Sequence, residues 1–206
     1  MSLAIFSSYL PNIATMAVIA QQKKIRIQVG GFYQKQSCRN RTKIAAANGV
    51  LNLSIPIEKG TQLIDHEVRI CYDEMWQKRH WKSFTSAYQS SPFFEFYQDE
   101  LADVFFKKYQ KLSDFNMDLL LLFMEWLELD TEININLEKP VYDPKSELLI
   151  SSKSIPPIEF PKYIQVFNLE EDFTPNLSIL DLICNLGPES ASYLDRINLT
   201  PILKLS

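Results

Sequence analysis

The sequence predicts a mixed α/β fold, three-layer-like, in which an N-terminal β-α-β unit and a hairpin form a mixed sheet and the C-terminal half is mainly helical. Three observations predict it. Within the first 29 residues an apolar run, a Pro-Asn turn, a helical period and an alternating run follow one another. Asn48-Gly49, the strongest short hairpin signal, separates two alternating stretches. From Met75 the apolar spacing changes from two residues to three and four, as a helix requires.

In order, Leu3 to Tyr9 reads as a strand that stops at Leu10-Pro11-Asn12, and Ile13, Met16, Ala17 and Ala20 fall at helical spacing. Ile25 to Val29 alternates as a half-buried strand, closed by Gly30-Gly31. A parallel pair with a right-handed crossover follows from that order. Thr42 to Ala46 and Val50 to Ile57 form the hairpin, and Glu67 to Ile70 is a further strand candidate. Trp81, Phe84 and Tyr88 mark one face of the first long helix, beside a second face of Trp76, His80, Ser83 and Ala87. Ser91-Pro92 reads as the next helix start, with Phe94, Tyr97, Leu101, Val104 and Phe105 as its buried stripe. Ser113 opens a third helix whose apolar Leu119 to Leu129 segment predicts the central core helix. Residues 139–161 hold five of the 11 prolines, which predicts a long surface loop. Asn176 to Asn185 is an amphipathic helix with Ser178 and Asp181 at capping-box spacing and Gly187-Pro188 as its stop, and a short helix spans Ser190 to Ile197.

Composition bounds the function. A chain of 206 residues, 46% hydrophobic and 22% charged, suits a single domain over 1–206. Its longest strong apolar run, Leu119 to Met124, falls far short of the roughly 18 residues of a membrane span. Leu3 to Ala20 has no basic leader and contains Pro11, so cytoplasm is expected over secretion. Cys38, Cys71 and Cys184 are odd in number and widely spaced, which argues against a disulfide framework or a structural zinc site. The Asn-x-Ser/Thr triplets at Asn52, Asn176 and Asn198 then carry little meaning. Neither a metal nor a cofactor is implied. The net charge of −4 hides a polarity: residues 1–57 carry seven cations and no acid, and the remainder carries 14 cations and all 25 acids. Such polarity either focuses an anionic ligand on one end or draws two faces of the fold together.

The candidate chemistry centres on Tyr33-Gln-Lys-Gln-Ser-Cys-Arg-Asn-Arg41. Arg39 and Arg41, two apart, would share a face in an extended strand, with Lys35 four residues before Arg39. Guanidinium forks bind phosphate or carboxylate bidentately, and Gln34, Gln36, Ser37 and Asn40 add neutral donors. The alternative is a solvated strand edge. His80 and Ser83 share a helical face, but no acid is placed to orient the imidazole, so His80 is expected as a general base or substrate contact and otherwise as an inert histidine between Trp76 and Trp81. Asp65 and His66 point opposite ways in a strand and make no metal site. Asp181 and Asn185, four apart, could hold a hydroxylated ligand, unless Asp181 serves as a cap. Tyr9, Pro11 and Asn12 lie at a strand-to-helix turn, where ligands of α/β folds gather. No G-x-G-x-x-G or P-loop marks a nucleotide there.

Taken in order, Tyr9-Leu-Pro11-Asn12, Tyr33 to Arg41, His80-Trp81, Ala87-Tyr88, Ser91 to Glu95 and Asn176 to Asp181 resemble the WbqC-like protein family over most of the chain. The resemblance implies a bacterial setting of O-antigen and surface-polysaccharide biosynthesis and a transferase activity, acyl or aminoacyl (glycine) transfer to an activated sugar ahead of glycosyl transfer. It carries over no catalytic residue as known. Leu129 to Tyr163 is shorter and richer in proline than in longer relatives and lacks a Gly-rich loop. On this reading Lys35, Arg39 and Arg41 hold an anionic small molecule, a nucleotide sugar or acyl donor rather than nucleic acid; Tyr9, Asn12, Ser83, Tyr88, Asp181 and Asn185 contact the rest. Two rival readings stay open: a non-enzymatic binding or scaffold protein of a biosynthetic complex, and a nucleotidylyltransferase-like enzyme by fold analogy.

Overall fold

A computed structural model describes residues 3–60, 63–167 and 173–205. Its fold is mixed α/β, as expected. Strands β1 (Leu3–Phe6), β2 (Lys24–Gln28) and β5 (Glu132–Asn136) form a parallel sheet in the order β1-β2-β5, with helix α1 (Ile13–Ala20) as the crossover between the first two. β3 (Arg41–Ala46) and β4 (Gly49–Ser54) pair antiparallel across Asn48-Gly49 and stand as a second, two-stranded sheet. Helices α2 (Trp76–Tyr88), α3 (Phe94–Phe105) and α4 (Leu112–Trp126) follow; α5 (Pro144–Ile150), α6 (Ile179–Leu186), α7 (Glu189–Arg196) and α8 (Thr200–Leu203) complete the chain.

Helix α1 is enclosed on every side: Ile13 through Ile19 are all buried. The central role expected of the third long helix belongs to α1 instead, because α4 leaves Leu121 49% exposed within its apolar run. Three elements escaped the sequence, β5, α5 and α8, the last lying beyond the short helix expected over Ser190 to Ile197. β5 alternates Ile with Asn and sits at a sheet edge, where none of its five residues is buried. Inside the expected proline-rich loop, Asp143 accepts a hydrogen bond from Lys145 N (3.1 Å) and Pro144 takes the first turn of α5, where a missing N–H costs nothing. Two starts also moved. Ser91 Oγ donates to Tyr88 O at the end of α2 and α3 begins only at Phe94, while the strand expected at Glu67 to Ile70 is a 3₁₀ turn (Asp65–Glu67) followed by isolated bridges. Gly30 is required for packing, since a Cβ there would lie 2.2 Å from the carbonyl oxygens of Leu137 and Glu138 where β5 runs out alongside β2.

The most deeply buried cation among the described residues is Arg39. It is 2% exposed, its Nε donates to Asp65 Oδ2 at 2.9 Å, Nη1 donates to Ser37 Oγ at 3.3 Å, and the guanidinium carbon lies 4.1 Å from the centre of the Phe6 ring. Its carbonyl accepts from Asn116 Nδ2 of α4 at 2.8 Å. Arg39 lies in a turn ahead of β3, so it does not share a strand face with Arg41. Burial pushes the Asp65 carboxyl up to about 6 against the opposing pull of Arg39. Replacing Asp65 with Ala leaves a buried guanidinium uncompensated and is expected to cost about 3–5 kcal/mol, whereas the double change Arg39→Met with Asp65→Leu removes both charges and recovers most of it. Urea unfolding of the two variants checks this ordering.

Candidate functional site

Where β3, the turn into α1 and the segment preceding α6 converge, the fold leaves a cavity of about 480 Å³. Its walls come from three backbone junctions. Ser178 N donates to Lys43 O at 2.8 Å and Ile179 N to Pro11 O at 2.8 Å, which fastens the start of α6 to both β3 and the α1 turn. Cys38 N donates to Ile150 O at 2.8 Å and Ser152 Oγ donates to Gln36 O, which brings the chain after α5 against Tyr33 to Arg41. The alternation of β3 buries Thr42 and Ile44 and leaves Arg41 and Lys43 half-buried on the opposite side. Lys153 enters from the chain after α5. Arg41, Lys43 and Lys153 thus line the cavity, and none of its described lining residues is Asp or Glu.

The fork of two cations at strand spacing therefore exists, displaced by two residues from the expected pair: Arg41 and Lys43 rather than Arg39 and Arg41. Arg41 Nε is buried without a hydrogen-bond partner, a donor that folding leaves unspent. Asn52 and Ser154 line the same cavity and make no side-chain hydrogen bond among the described residues. Two of its residues, Leu10 (φ 45°) and Asn176 (φ 56°), hold left-handed backbone, uncommon outside glycine and concentrated at functional turns. Cys38 also lines it, but burial raises its thiol to about 11 against the pull of Lys43, so it rests as the neutral thiol.

The other expected residues are placed as follows. Asn12 lines the cavity, but its side chain is committed: Oδ1 accepts from Thr15 N at 2.8 Å and Nδ2 donates to Leu149 O at 3.2 Å. The first amides of α1 are all taken, Ile13 N by Leu177 O, Ala14 N by Asn176 Oδ1, Thr15 N by Asn12 Oδ1 and Met16 N by Asn12 O. The turn holding Tyr9, Pro11 and Asn12 consequently presents no free cluster of α1 amides to an anion. Tyr9 is buried with its hydroxyl 2.9 Å from His80 Nδ1, and its ring stacks on Phe115.

His80 does not line the cavity. It is 5% exposed, packed between the rings of Tyr9, Trp76 and Phe84, and hydrogen-bonded also to the Ser54 backbone. Ser83 Oγ donates to Arg79 O in its own helix at 3.0 Å, so no Ser–His dyad forms. Asp181 is buried with Tyr163 Oη at 2.6 Å and Gln165 Nε2 at 3.0 Å on Oδ2; Asn185 Nδ2 donates to the Asp181 carbonyl at 2.7 Å. Burial raises the Asp181 carboxyl above its usual range against the opposing pull of Tyr163, Gln165 and Tyr88, although neither Tyr88 Oη nor Asp181 Oδ1 has a partner within hydrogen-bonding geometry. The hydroxyl that Asp181 meets is an internal tyrosine, and its side chain does not close a capping box: Ser178 Oγ alone accepts from Leu180 N. Gln34 is exposed and reaches Glu147 Oε1 at 3.5 Å; Lys35 and Asn40 line a neighbouring hollow.

Sequence reasoning missed Lys43, Lys153 and Ser154. Lys43 was legible as the strand partner of Arg41, and Ser151-Ser-Lys-Ser154 as a small cationic, hydroxyl-rich run. Of the cations in residues 1–57, Lys24 and Arg39 pair with Glu132 and Asp65, while Lys35, Arg41 and Lys43 line cavities. Among the described residues no cluster of metal-binding side chains occurs, and no helix is long and apolar enough to cross a membrane.

Fold and cleft define a class: a mixed α/β protein with a basic cavity whose described lining is free of acids, set between a hairpin and the capped ends of two helices. The chain belongs to the WbqC-like protein family, which matches residues 7–155. It is also similar to an uncharacterized protein of Mycobacterium tuberculosis, Rv1507c, with 23% identity over 218 aligned residues that cover 91% of this chain and 94% of that protein. No solved structure matches the chain significantly.

His80 makes a test of burial by pH. Burial, with Arg79 as a smaller contributor, lowers it from 6.5 to about 4. The unfolded chain then binds a proton below 6.5 that the folded chain refuses, so the stability His80 contributes is lost as pH falls from 6.5 to 4, by about 3 kcal/mol. Asp65 acts in the opposite sense, because its raised pKa makes the folded chain hold the proton more tightly below about 6. Urea unfolding at pH 7 and pH 4.5 is expected to show a smaller acid loss in His80→Gln than in the parent chain.

Proposed function

We propose that this chain is a cytoplasmic transferase of bacterial surface-polysaccharide biosynthesis that acts on an activated sugar, by acyl or aminoacyl transfer. Its phosphates would sit against Arg41, Lys43 and Lys153. The observation that carries the reading is the basic cavity without a described carboxylate, joined to membership of the WbqC-like protein family. Walls of one sign around a recess focus field lines and concentrate anions. Arg41 supplies a planar fork for two phosphate oxygens, and the two lysines act as point charges whose stems adapt to ligand shape. A volume of about 480 Å³ lies within the range of small-molecule sites and suits a sugar phosphate with part of its carrier. Asn52 and Ser154 offer uncommitted polar groups for sugar hydroxyls.

A second reading has its own observation. Among the described residues no histidine or carboxylate lines the cavity, and the Cys38 thiol rests there neutral. That favours a binding or scaffold protein that carries the same activated sugar without transforming it. Ligand binding alone does not separate the two readings; turnover does.

Calorimetry and thermal shift with UDP-N-acetylglucosamine and UDP test the site, since a ligand specific to the native state must raise its stability. Arg41→Ala and Lys153→Ala are each expected to weaken binding about tenfold, the scale of one charge-assisted hydrogen bond. Lys82→Ala, on the exposed side of α2, is expected to leave it unchanged. Equal affinity in all three variants removes the cavity from consideration. Incubation with acetyl-coenzyme A or an aminoacyl donor, followed by mass spectrometry of the sugar, then decides between transfer and carriage.

A further inference from the structure

Among the described residues, Arg41 is the one shared between the main cavity and a second, more open hollow of about 800 Å³. Lys35 and Lys59 line this hollow from exposed positions, Glu58 is the single acid among its described lining residues, and Tyr33 and Leu63 give it an aromatic and an apolar wall. One further lining residue bears on what the hollow would hold. Asn40 is 93% buried by its 7% exposure, and its orientation is set by its own bonds: Nδ2 donates to Ile55 O at 2.8 Å and to Ser54 Oγ at 3.4 Å. Asn40 Oδ1 is then left buried with no partner. An acceptor of this kind is rarely left unpaired in a native fold, and here it belongs to a residue that lines the same recess as three cations. Arg41 Nε, the unspent donor, belongs to the same wall.

We propose that the hollow is a second ligand site. It takes a phosphorylated small molecule that carries an amine or hydroxyl donor near its phosphate. Lys35, Lys59 and Arg41 receive the phosphate, and Asn40 Oδ1 with Glu58 receives the donor. Arg41 then touches both ligands and holds their charged groups on either part of one guanidinium. Two adjacent sites that share a cation are what group transfer between two anionic substrates requires, because the shared charge offsets their mutual repulsion and the reacting ends are held together. Only the naming of the first ligand rests on the reading of the main cavity as an activated-sugar site; the second site stands on its own residues.

The test uses the full chain and O-phosphoethanolamine as probe, titrated calorimetrically with the main cavity saturated by UDP-N-acetylglucosamine. Binding is expected to persist under saturation, to weaken at least tenfold in Lys35→Ala with Lys59→Ala, and to exceed that of methyl phosphate at least threefold. UDP-N-acetylglucosamine affinity should be unchanged in that double variant and reduced in Arg41→Ala, which is expected to weaken both ligands. Both lysines are exposed, so the fold is not at risk. Loss of probe binding on saturation, or indifference to the two lysines, overturns the second site. Equal affinity for methyl phosphate overturns the assignment of Asn40 and Glu58. If UDP-N-acetylglucosamine does not bind at all, the main-cavity reading fails, and the probe is titrated instead into Lys43→Ala with Lys153→Ala, where retained, lysine-dependent binding still supports the hollow and its absence overturns it.

Discussion

A guanidinium taken wholly out of water has to be satisfied on every side, and the way Arg39 meets that demand organises the basic half of the molecule. Its edge donates to Asp65 and Ser37, its face lies on Phe6 of β1, and its carbonyl is held by Asn116 of α4. Four separate stretches of chain are thereby drawn to one point. Moving Asp65 away strands a charge, and the penalty for a stranded buried charge is several kcal/mol, so the turn from Tyr33 to Asn40 is tied to the Asp65 segment. Two residues further on the chain reaches the cavity wall at Arg41. The buried arginine is thus the mounting for the half-exposed one, and a site built on a rigid mounting loses less entropy when a ligand arrives.

Helix α1 shows a second economy. A buried helix exposes orphan amides at its start, and those amides are the usual seat for phosphate in α/β proteins. Here they are consumed internally, by Asn12 from the same chain segment and by Asn176 and Leu177 from a segment about 160 residues away. The crossover therefore serves as an anchor for α6. An anion in the adjoining cavity meets side-chain cations instead of backbone dipoles, and attraction of that kind is screened by salt and adapts to ligand shape.

Much of the fold was legible because its signals are local. The period of Ile13 to Ala20, the Asn48-Gly49 turn and the spacing from Trp76 to Tyr88 each report their own segment. What failed depends on distant partners. β5 pairs with β2 across more than 100 residues, and nothing within Glu132–Asn136 announces that pairing. Pro144 looked like a breaker because a proline at the first helical turn and a proline in a loop read alike until Asp143 is seen to cap. The site was legible to within two residues: the rule that alternate positions share a strand face holds, but the strand begins at Arg41, so its fork runs to Lys43. Arg39 was misplaced because its partner Asp65 and its ring Phe6 are distant in sequence. His80 and Asp181 carry the residue types of catalysis, yet their surroundings, aromatic rings for one and Tyr163 with Gln165 for the other, are invisible before folding.

The stretch that family similarity recognises stops at residue 155, but the fold does not divide there. Thr174 to Ser178 closes one wall of the cavity, Asn176 and Leu177 hold the start of α1, and Ser178 bonds to β3. A boundary drawn by sequence likeness thus cuts through a structural unit. The part before residue 155 supplies the cations, and Asn176 to Ser178, beyond the matched stretch though themselves part of the resemblance, supply the lock that keeps them facing one another. Divergence after residue 155 would then change the shape of the cavity while leaving its charge intact, which is a route by which relatives with the same signature could come to hold different ligands.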